Sequence, residues 1–489
     1  MIVGESTKFY TARHHSTAGM PLKIYNTLTR QKEEFVTIHG RRVNMFVCGI
    51  TPYDHMHMGH AKTYVTFDMV ARYLRHKGYR VFYVQNVTDV EDRLIARMLD
   101  SGRDWRELVA EFIAEYLAVM EALNVMAVNH FAWATDYIPE IIEQIEGLVK
   151  KGIAYAVEGD VFYDVTKFDG WGKLSGMIVE ELRPGARVEV DKRKRSPADF
   201  ALWKSQKPGE PAWDSPWGKG RPGWHIEDTA ITMSIFGPQY DIHGGATELM
   251  FPHHEAEIAQ AEALTGVTPF VRYWMHGGML MVGGEEMHKS LGNFWAVPEA
   301  LKLFDGEVLR FFLLNVHYRS PIDFSLEGME EAKRSYQRLL DTYQVLSQSA
   351  KRGSDGPKSA DAALDAAVTT AKAKFDEAMD DDFNTREAIA VIFALASEIN
   401  RSVEAGVGKT AAQRCLGQFD IFGDVLGLFQ KVRRQGLVAT DALLDILVQI
   451  REEARKRKDF AVSDLIRDKL KEIGVTLEDA KEGVRWKLK

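Results

Sequence analysis

Apolar positions repeat with two different periods along this chain, and each change of period marks an element. Val43-Asn-Met-Phe-Val-Cys-Gly49 is a short apolar run of strand length, and Ala61 to Leu74 behind it carries its apolar residues at helical spacing. A second apolar strand, Arg80-Val-Phe-Tyr-Val-Gln-Asn86, follows, so 22–117 reads as the first half of an alternating α/β unit. Over 118–220 a helical pattern at Ile138 to Lys150 gives way to Gly-, Pro- and Trp-rich segments, which predicts an inserted domain. The α/β pattern resumes over 221–280, where Tyr240-Asp-Ile-His-Gly-Gly245 reads as a strand running into a glycine turn. One parallel sheet assembled from two separated halves would hold its ligand at the C-terminal ends of the strands. Gly306 to Arg319 reads as a helix within 281–350, and Lys351 to Lys358 has linker composition. Long helical patterns follow beyond it. Residues 1–21 show no periodicity and are expected to form a flexible extension.

Composition narrows the class. The chain has 489 residues, 45% hydrophobic and 27% charged, which exceeds a single core and calls for several domains. No apolar run approaches the ~20 residues of a membrane span, and the N-terminus lacks an apolar signal core. Cys48 and Cys415 are the only cysteines, which excludes a disulfide framework and suits a reducing cytoplasm; Cys415 reads as a small buried hydrophobe. The net charge of -8 does not exclude an RNA partner, because phosphate binding depends on where cations cluster. Clusters stand at Lys192 to Arg195, Lys431 to Arg434 and Arg451 to Lys458, each of which also reads as a solvated face.

Candidate chemistry starts at His57-Met-Gly-His60, between the first strand and the first helix. Such a turn presents backbone N–H groups, Gly59 included, and the positive end of a helix dipole, and two histidines there can donate to phosphate oxygens. An ATP site is the natural reading. His55 in the same turn lacks a metal-ligand partner at suitable spacing and reads as packing. Met287-His-Lys-Ser-Leu-Gly-Asn293 follows the glycine-rich, hairpin-like stretch Gly277 to Gly284. Lys289 on such a loop can reach a polyphosphate and neutralise the charge developing on its leaving group. Gly406-Val-Gly-Lys-Thr410 imitates the end of a phosphate loop, but Val403 stands where its first glycine belongs and no strand precedes it.

Together the two segments resemble the paired signatures of class I aminoacyl-tRNA synthetases, with Met58, Glu286 and His288 departing from the usual wording. Cys48 to Asp54, Asn86 to Asp92, Asp199 to Lys204, Trp213 to Gly218, Arg221 to Glu227 and Phe251 to Glu257 resemble, in that order, the cysteinyl-tRNA synthetase family. The resemblance runs from about Leu22 to the C-terminus and implies a Rossmann-like catalytic domain, a helical bundle over 351–434 and an anticodon-binding domain over 435–489. It further implies ATP with Mg²⁺, L-cysteine and tRNA(Cys) as partners. No membrane is expected, and a monomer is expected over an oligomer.

His253 and Glu257 stand i, i+4 behind Pro252, a residue favoured at the first helical position, so both face one way from one helix. With a thiolate from Cys48 they make a zinc half-shell. In the family a second cysteine completes the set, and an open position takes the substrate thiol, which selects against serine without editing. Here Asp228 stands at that cysteine's place. Carboxylate binds Zn²⁺ at about 2.0–2.2 Å against about 2.3 Å for thiolate, so Asp228 is a chemically reasonable fourth ligand; a cap or salt link is the other reading. His254 must point about 100° from His253 on a helix and is expected not to be a ligand.

The resemblance assigns His57, His60 and Lys289 to catalysis, and Gly59 and His243 to ATP. Thr51, Thr88, Trp224 and His243 are carried over as substrate contacts, and the wall of a core is the other reading of Trp224. Asp464 to Leu470, Leu477 to Asp479 and Gly483 to Trp486 resemble the anticodon module, where Trp486 would stack on a base and Arg485 meet phosphate; a packing anchor is the other reading of Trp486. Two other functions compete. Cys48-Gly-Ile-Thr-Pro-Tyr-Asp54 also resembles a ligase that joins cysteine to an aminosugar, against which the C-terminal motif argues, and Glu286, His288 and Asp228 admit a non-catalytic paralogue.

Overall fold

The computed structural model describes residues 21–177, 191–287, 293–352, 355–472, 475–480 and 483–488. They form two compact units, one ending at Leu428 and one starting at Phe429.

The first unit is built on a five-stranded parallel sheet with the order Val271–Gly277, Tyr240–Ala246, Arg42–Ile50, Arg80–Val87, His130–Trp133. Strand order reverses between the Cys48 strand (Arg42–Ile50) and the His243 strand (Tyr240–Ala246), where a doubly wound sheet opens its ligand crevice. The helix Met58–His76 covers one face, and Gly244 allows the approach: a Cβ there would lie 2.4 Å from the Phe67 ring. On the other face Phe46, Cys48, Val84 and Ala132 share a core with Ile231 of the helix Ile226–Phe236 and Ile258 of the helix His253–Thr265.

The strand His130–Trp133 belongs to this sheet although it lies beyond residue 117, where the periodic pattern ends the first half. Four residues are too few to register a period of two. The insertion carries a four-stranded antiparallel sheet, Ala154–Val157, Asp160–Tyr163, Phe200–Ser205 and Gly220–Pro222. Its core includes Ile226, Ala230, Ala256 and Ala259, so it buttresses the two helices that carry Asp228 and His253.

The expected helix from Gly306 stops at Leu314 rather than Arg319. Four helices follow, Leu326–Arg352, Lys358–Asp380, Thr385–Glu404 and Lys409–Leu426; the first precedes the linker-like stretch from which the bundle was expected to start. Arg310, with no exposed side-chain surface, ties helix to helix: its guanidinium donates to Leu426 O (2.6 Å), Leu123 O (3.0 Å), Asn124 O (2.9 Å) and Asp68 Oδ2 (2.5 Å). Removing one partner of a buried pair leaves an uncompensated charge. Arg310→Met is therefore expected to lower unfolding free energy by about 3–5 kcal/mol, measured by urea denaturation; a loss below about 1 kcal/mol would mean that Arg72, 2.6 Å from Asp68, suffices alone.

In the second unit the 27-residue helix Gln430–Lys456 runs through the expected 434/435 boundary. The helix Phe460–Glu472 follows, and then an antiparallel hairpin, Val475–Ala480 with Gly483–Leu488, which pairs Leu477 with Trp486 and Glu478 with Arg485. Leu444, Leu470 and Val475 form its core. Among the described residues no helix is long and apolar enough to cross a membrane.

Candidate active site and metal centre

Cys48 reaches the crevice through a break in its strand. The ladder to the Arg80–Val87 strand is regular up to Val47 and shifts before Ile50. Gly49 makes the break possible, because a Cβ there would sit 1.7 Å from Asn86 O. The sulfur lies 3.3 Å from Asp228 Oδ2, 3.4 Å from His243 Nε2 and 3.1 Å from His254 Nε2. Asp228 comes from the first turn of Ile226–Phe236; His253 and Glu257 stand one turn apart at the start of His253–Thr265. Both helix N-termini thus face buried carboxylates, the sign that the helix dipole favours.

Two overlapping sets of donor atoms lie within 4.8 Å of one another: Cys48, Asp228, His253 and Glu257, and Cys48, His243, His254 and Glu257. The first is the expected set. His253 Nε2 is 3.1 Å from Asp228 Oδ2 and 3.5 Å from Glu257 Oε1. Its ring stacks on Trp224 with centroids 4.3 Å apart, and Trp224 is 40% exposed, so this set lies toward solvent. In the second set His243 has no exposed side-chain surface, accepts or donates at Nδ1 to the Tyr240 hydroxyl (2.6 Å) and stacks on Trp274. Its Nε2 faces the Cys48 sulfur at 3.4 Å. His254, expected to point away, approaches the sulfur because every residue from His253 to Glu262 is buried, so the helix has no solvent side for that ring. His276 Nε2, 2.8 Å from His254 Nδ1, and His225 Nδ1, 2.9 Å from His253 Nδ1, extend the cluster; His276 had no sequence signal beyond residue type, and His225 only its place in the stretch Arg221 to Glu227.

The chemistry of this donor set fits a divalent cation. Among the described residues neither oxygen of the buried Glu257 carboxylate has a hydrogen-bond partner. Burial, with the Asp228 carboxylate, pushes the Glu257 carboxyl well above its usual range, and burial pushes the Cys48 thiol up as well. A cation reverses that balance, since it favours carboxylate and thiolate at once.

Beside this cluster His57 is the N-cap of Met58–His76, and a reciprocal pair of bonds closes the turn: His57 Nδ1 accepts from His60 N–H (3.3 Å), and His60 Nδ1 accepts from His57 N–H (3.5 Å). The rings stack at 3.6 Å, and Gly59 leaves room, since a Cβ there would be 3.0 Å from the His57 ring. Burial lowers the His57 pKa to about 4 and holds His60 well below its usual value, so both rings are neutral at pH 7. A neutral ring that accepts at Nδ1 carries its proton on Nε2. The pair is thereby set as two Nε2–H donors.

Lys289 lies outside the described residues, but both flanks of its loop are fixed to this turn. Downstream, Met58 N–H donates to Trp295 O (3.1 Å) and Val297 N–H to Met56 O (2.7 Å). Upstream, the buried ammonium of Lys62, its pKa lowered by burial to about 8, donates to Gly278 O and Ser320 O, both at 2.6 Å. The hairpin Leu280–Val282 with Glu285–Glu286 then leads into the loop, turning at Gly283 and Gly284 with φ of 64° and 79°. Thr51 is half-buried just past the Cys48 strand. Thr88 is buried, and its hydroxyl donates to Glu227 Oε1.

Residues 34–334 match the family described as tRNA synthetases class I (C) catalytic domain, and residues 374–430 match the DALR domain. The chain is 48% identical to a cysteine–tRNA ligase of Pelotomaculum thermopropionicum over 95% of its own length and 99% of the relative's. It is 44% identical to one of Thermococcus onnurineus, over 96% and 99%. The chain belongs to the cysteine–tRNA ligase family. Its fold is shared more widely among class I synthetases. A Mycobacterium tuberculosis methionyl-tRNA synthetase in complex with methionyl-adenylate superposes with a TM-score of 0.57 at 16% identity, over 79% of this chain and 89% of that one. An Agrobacterium radiobacter LeuRS in a ternary complex gives 0.57 at 11% identity, over 80% and 84%.

Proposed function

We propose that this protein joins L-cysteine to tRNA(Cys) at the expense of ATP, and that Cys48, Asp228, His253 and Glu257 hold the Zn²⁺ that selects cysteine. The observation that carries this reading is a buried thiol, imidazole and two carboxylates within 4.8 Å, one carboxylate without a hydrogen-bond partner, in a class I catalytic domain. When bound, Zn²⁺ supplies an open position at which the substrate thiol ligates as thiolate, which serine's hydroxyl does poorly.

In the first step the cysteine carboxylate attacks the α-phosphorus of Mg²⁺-bound ATP, giving cysteinyl-adenylate and pyrophosphate. His57 and His60 donate Nε2–H to phosphate oxygens, the Gly59 turn adds backbone N–H groups at a helix N-terminus, and Lys289 neutralises the departing pyrophosphate. Trp224 walls the amino-acid pocket, and Thr51 and Thr88 line it. In the second step the 2′-OH of the terminal ribose of the tRNA attacks the adenylate carbonyl and AMP leaves. Arg485 and Trp486, on the hairpin strand Gly483–Leu488, belong to the module that reads the anticodon. A cytoplasmic monomer completes the reading.

The test is cysteine-dependent exchange of pyrophosphate into ATP, followed by a choice of acceptor between tRNA(Cys) and an aminosugar. Exchange with transfer to the aminosugar alone would overturn the reading. Purified protein is expected to carry close to one zinc per chain. Asp228→Ala is expected to lower zinc affinity and erode discrimination against serine, read as the ratio of kcat/KM values in exchange, while the KM for ATP stays near its original value. Metal-free protein that still rejects serine would move selection to the shape of the pocket around Trp224.

A further inference from the structure

We propose that Asn86 is the positioning residue that makes Asp228 a one-oxygen metal ligand, so that this chain holds with a side-chain amide what a thiolate at 228 would hold by itself. The inference rests on Asp228 being a ligand. A carboxylate offers two donor oxygens and rotates about its Cβ–Cγ bond, whereas a thiolate has a single donor atom and no such freedom. Replacing cysteine by aspartate therefore brings an orientation problem that a second partner must remove.

The structure contains that partner. Asn86 Nδ2 donates to Asp228 Oδ1 at 2.7 Å, which leaves Oδ2 as the oxygen facing Cys48 Sγ (3.3 Å) and His253 Nε2 (3.1 Å). Which way the Asn86 amide points is settled by its other end. Asn86 Oδ1 accepts from Gly49 N–H at 2.5 Å, and an amide reversed end for end would set Nδ2 against that N–H. The same Nδ2 also reaches Thr88 Oγ1 at 3.3 Å and Glu227 Oε1 at 3.5 Å, both longer than its 2.7 Å bond to Asp228, and the Thr88 hydroxyl gives Glu227 Oε1 a closer donor. All four residues are buried: Asn86 and Thr88 at 3%, Glu227 at 1% and Asp228 at 0% exposure. Asn86 thus joins the backbone beside one ligand, Cys48, to the carboxylate of another.

Outer partners of ligating groups typically contribute about 10–100-fold to metal affinity. The prediction is conditional on the residue at 228. Zinc affinity, read by competition with a chromophoric chelator, is expected to fall about 10–100-fold on Asn86→Ala in the native background, but to change by less than about 3-fold in the Asp228→Cys background. Equal losses in both backgrounds would show that Asn86 acts through Gly49 and the Cys48 strand, and would overturn the proposal. Asp228→Ala with undiminished affinity would instead overturn the ligand assignment on which it rests.

A second measurement needs no change at Asn86. Cobalt(II) loaded into the native protein and into Asp228→Cys is expected to give the intense visible absorption of four-coordination in both, with stronger sulfur-to-metal charge transfer in the variant. A weak, five-coordinate spectrum in the native protein that becomes four-coordinate in Asp228→Cys would mean that both Asp228 oxygens bind, and would likewise overturn it.

Discussion

His57→Asn is expected to fold with its helix intact and to lose about 10²–10³-fold in cysteine-dependent pyrophosphate exchange, the usual cost of one pre-organised donor to developing charge. Asparagine is a good N-cap, so its side-chain oxygen can still accept from His60 N–H. What it cannot supply is a ring nitrogen donor above the phosphates. The variant separates the turn closure that Nδ1 makes in the structure from the phosphate contact proposed for Nε2. His57→Ala loses both, and should in addition unfold at lower urea by about 1 kcal/mol. Exchange that survives in His57→Asn but fails in His57→Ala would show that the residue serves the helix terminus alone.

Lys289→Ala is expected to cost about 10²–10³-fold in adenylate formation with cysteine binding nearly unchanged, because the ammonium meets charge that appears only as pyrophosphate leaves. Single-turnover adenylate formation at saturating cysteine and ATP measures it. A large loss of cysteine affinity at an unchanged rate would place Lys289 in the amino-acid pocket instead. Rates in Lys62→Met offer a comparison: that variant leaves Lys289 present but frees Gly278 O and Ser320 O, so a loss there reports on how the loop is held.

Several features were legible from local pattern. The helix predicted at Ile138 to Lys150 has those bounds in the structure, and the strand read at Arg80 to Asn86 ends one residue later. The i, i+4 spacing of His253 and Glu257 puts both beside Cys48 and Asp228, although Pro252 proves to be the N-cap rather than the first helical residue. The strand His130–Trp133 escaped because four residues carry no period, and the helix Gln430–Lys456 crosses the boundary expected at 434/435 from the resemblance.

By itself the amino-acid sequence determined the longer periodic elements and which side chains are chemically able to serve, because turn residues, periodicity and ligand type act over a few neighbouring positions. The tertiary structure alone decided how those side chains work. The break at Gly49, the lock of Asn86 on Asp228, the approach of His254 to Cys48 and the grip of Lys62 on Gly278 join residues between 37 and 216 positions apart. Such contacts depend on strand order, on register and on helices buried all round, and none of these leaves a periodic trace in the chain.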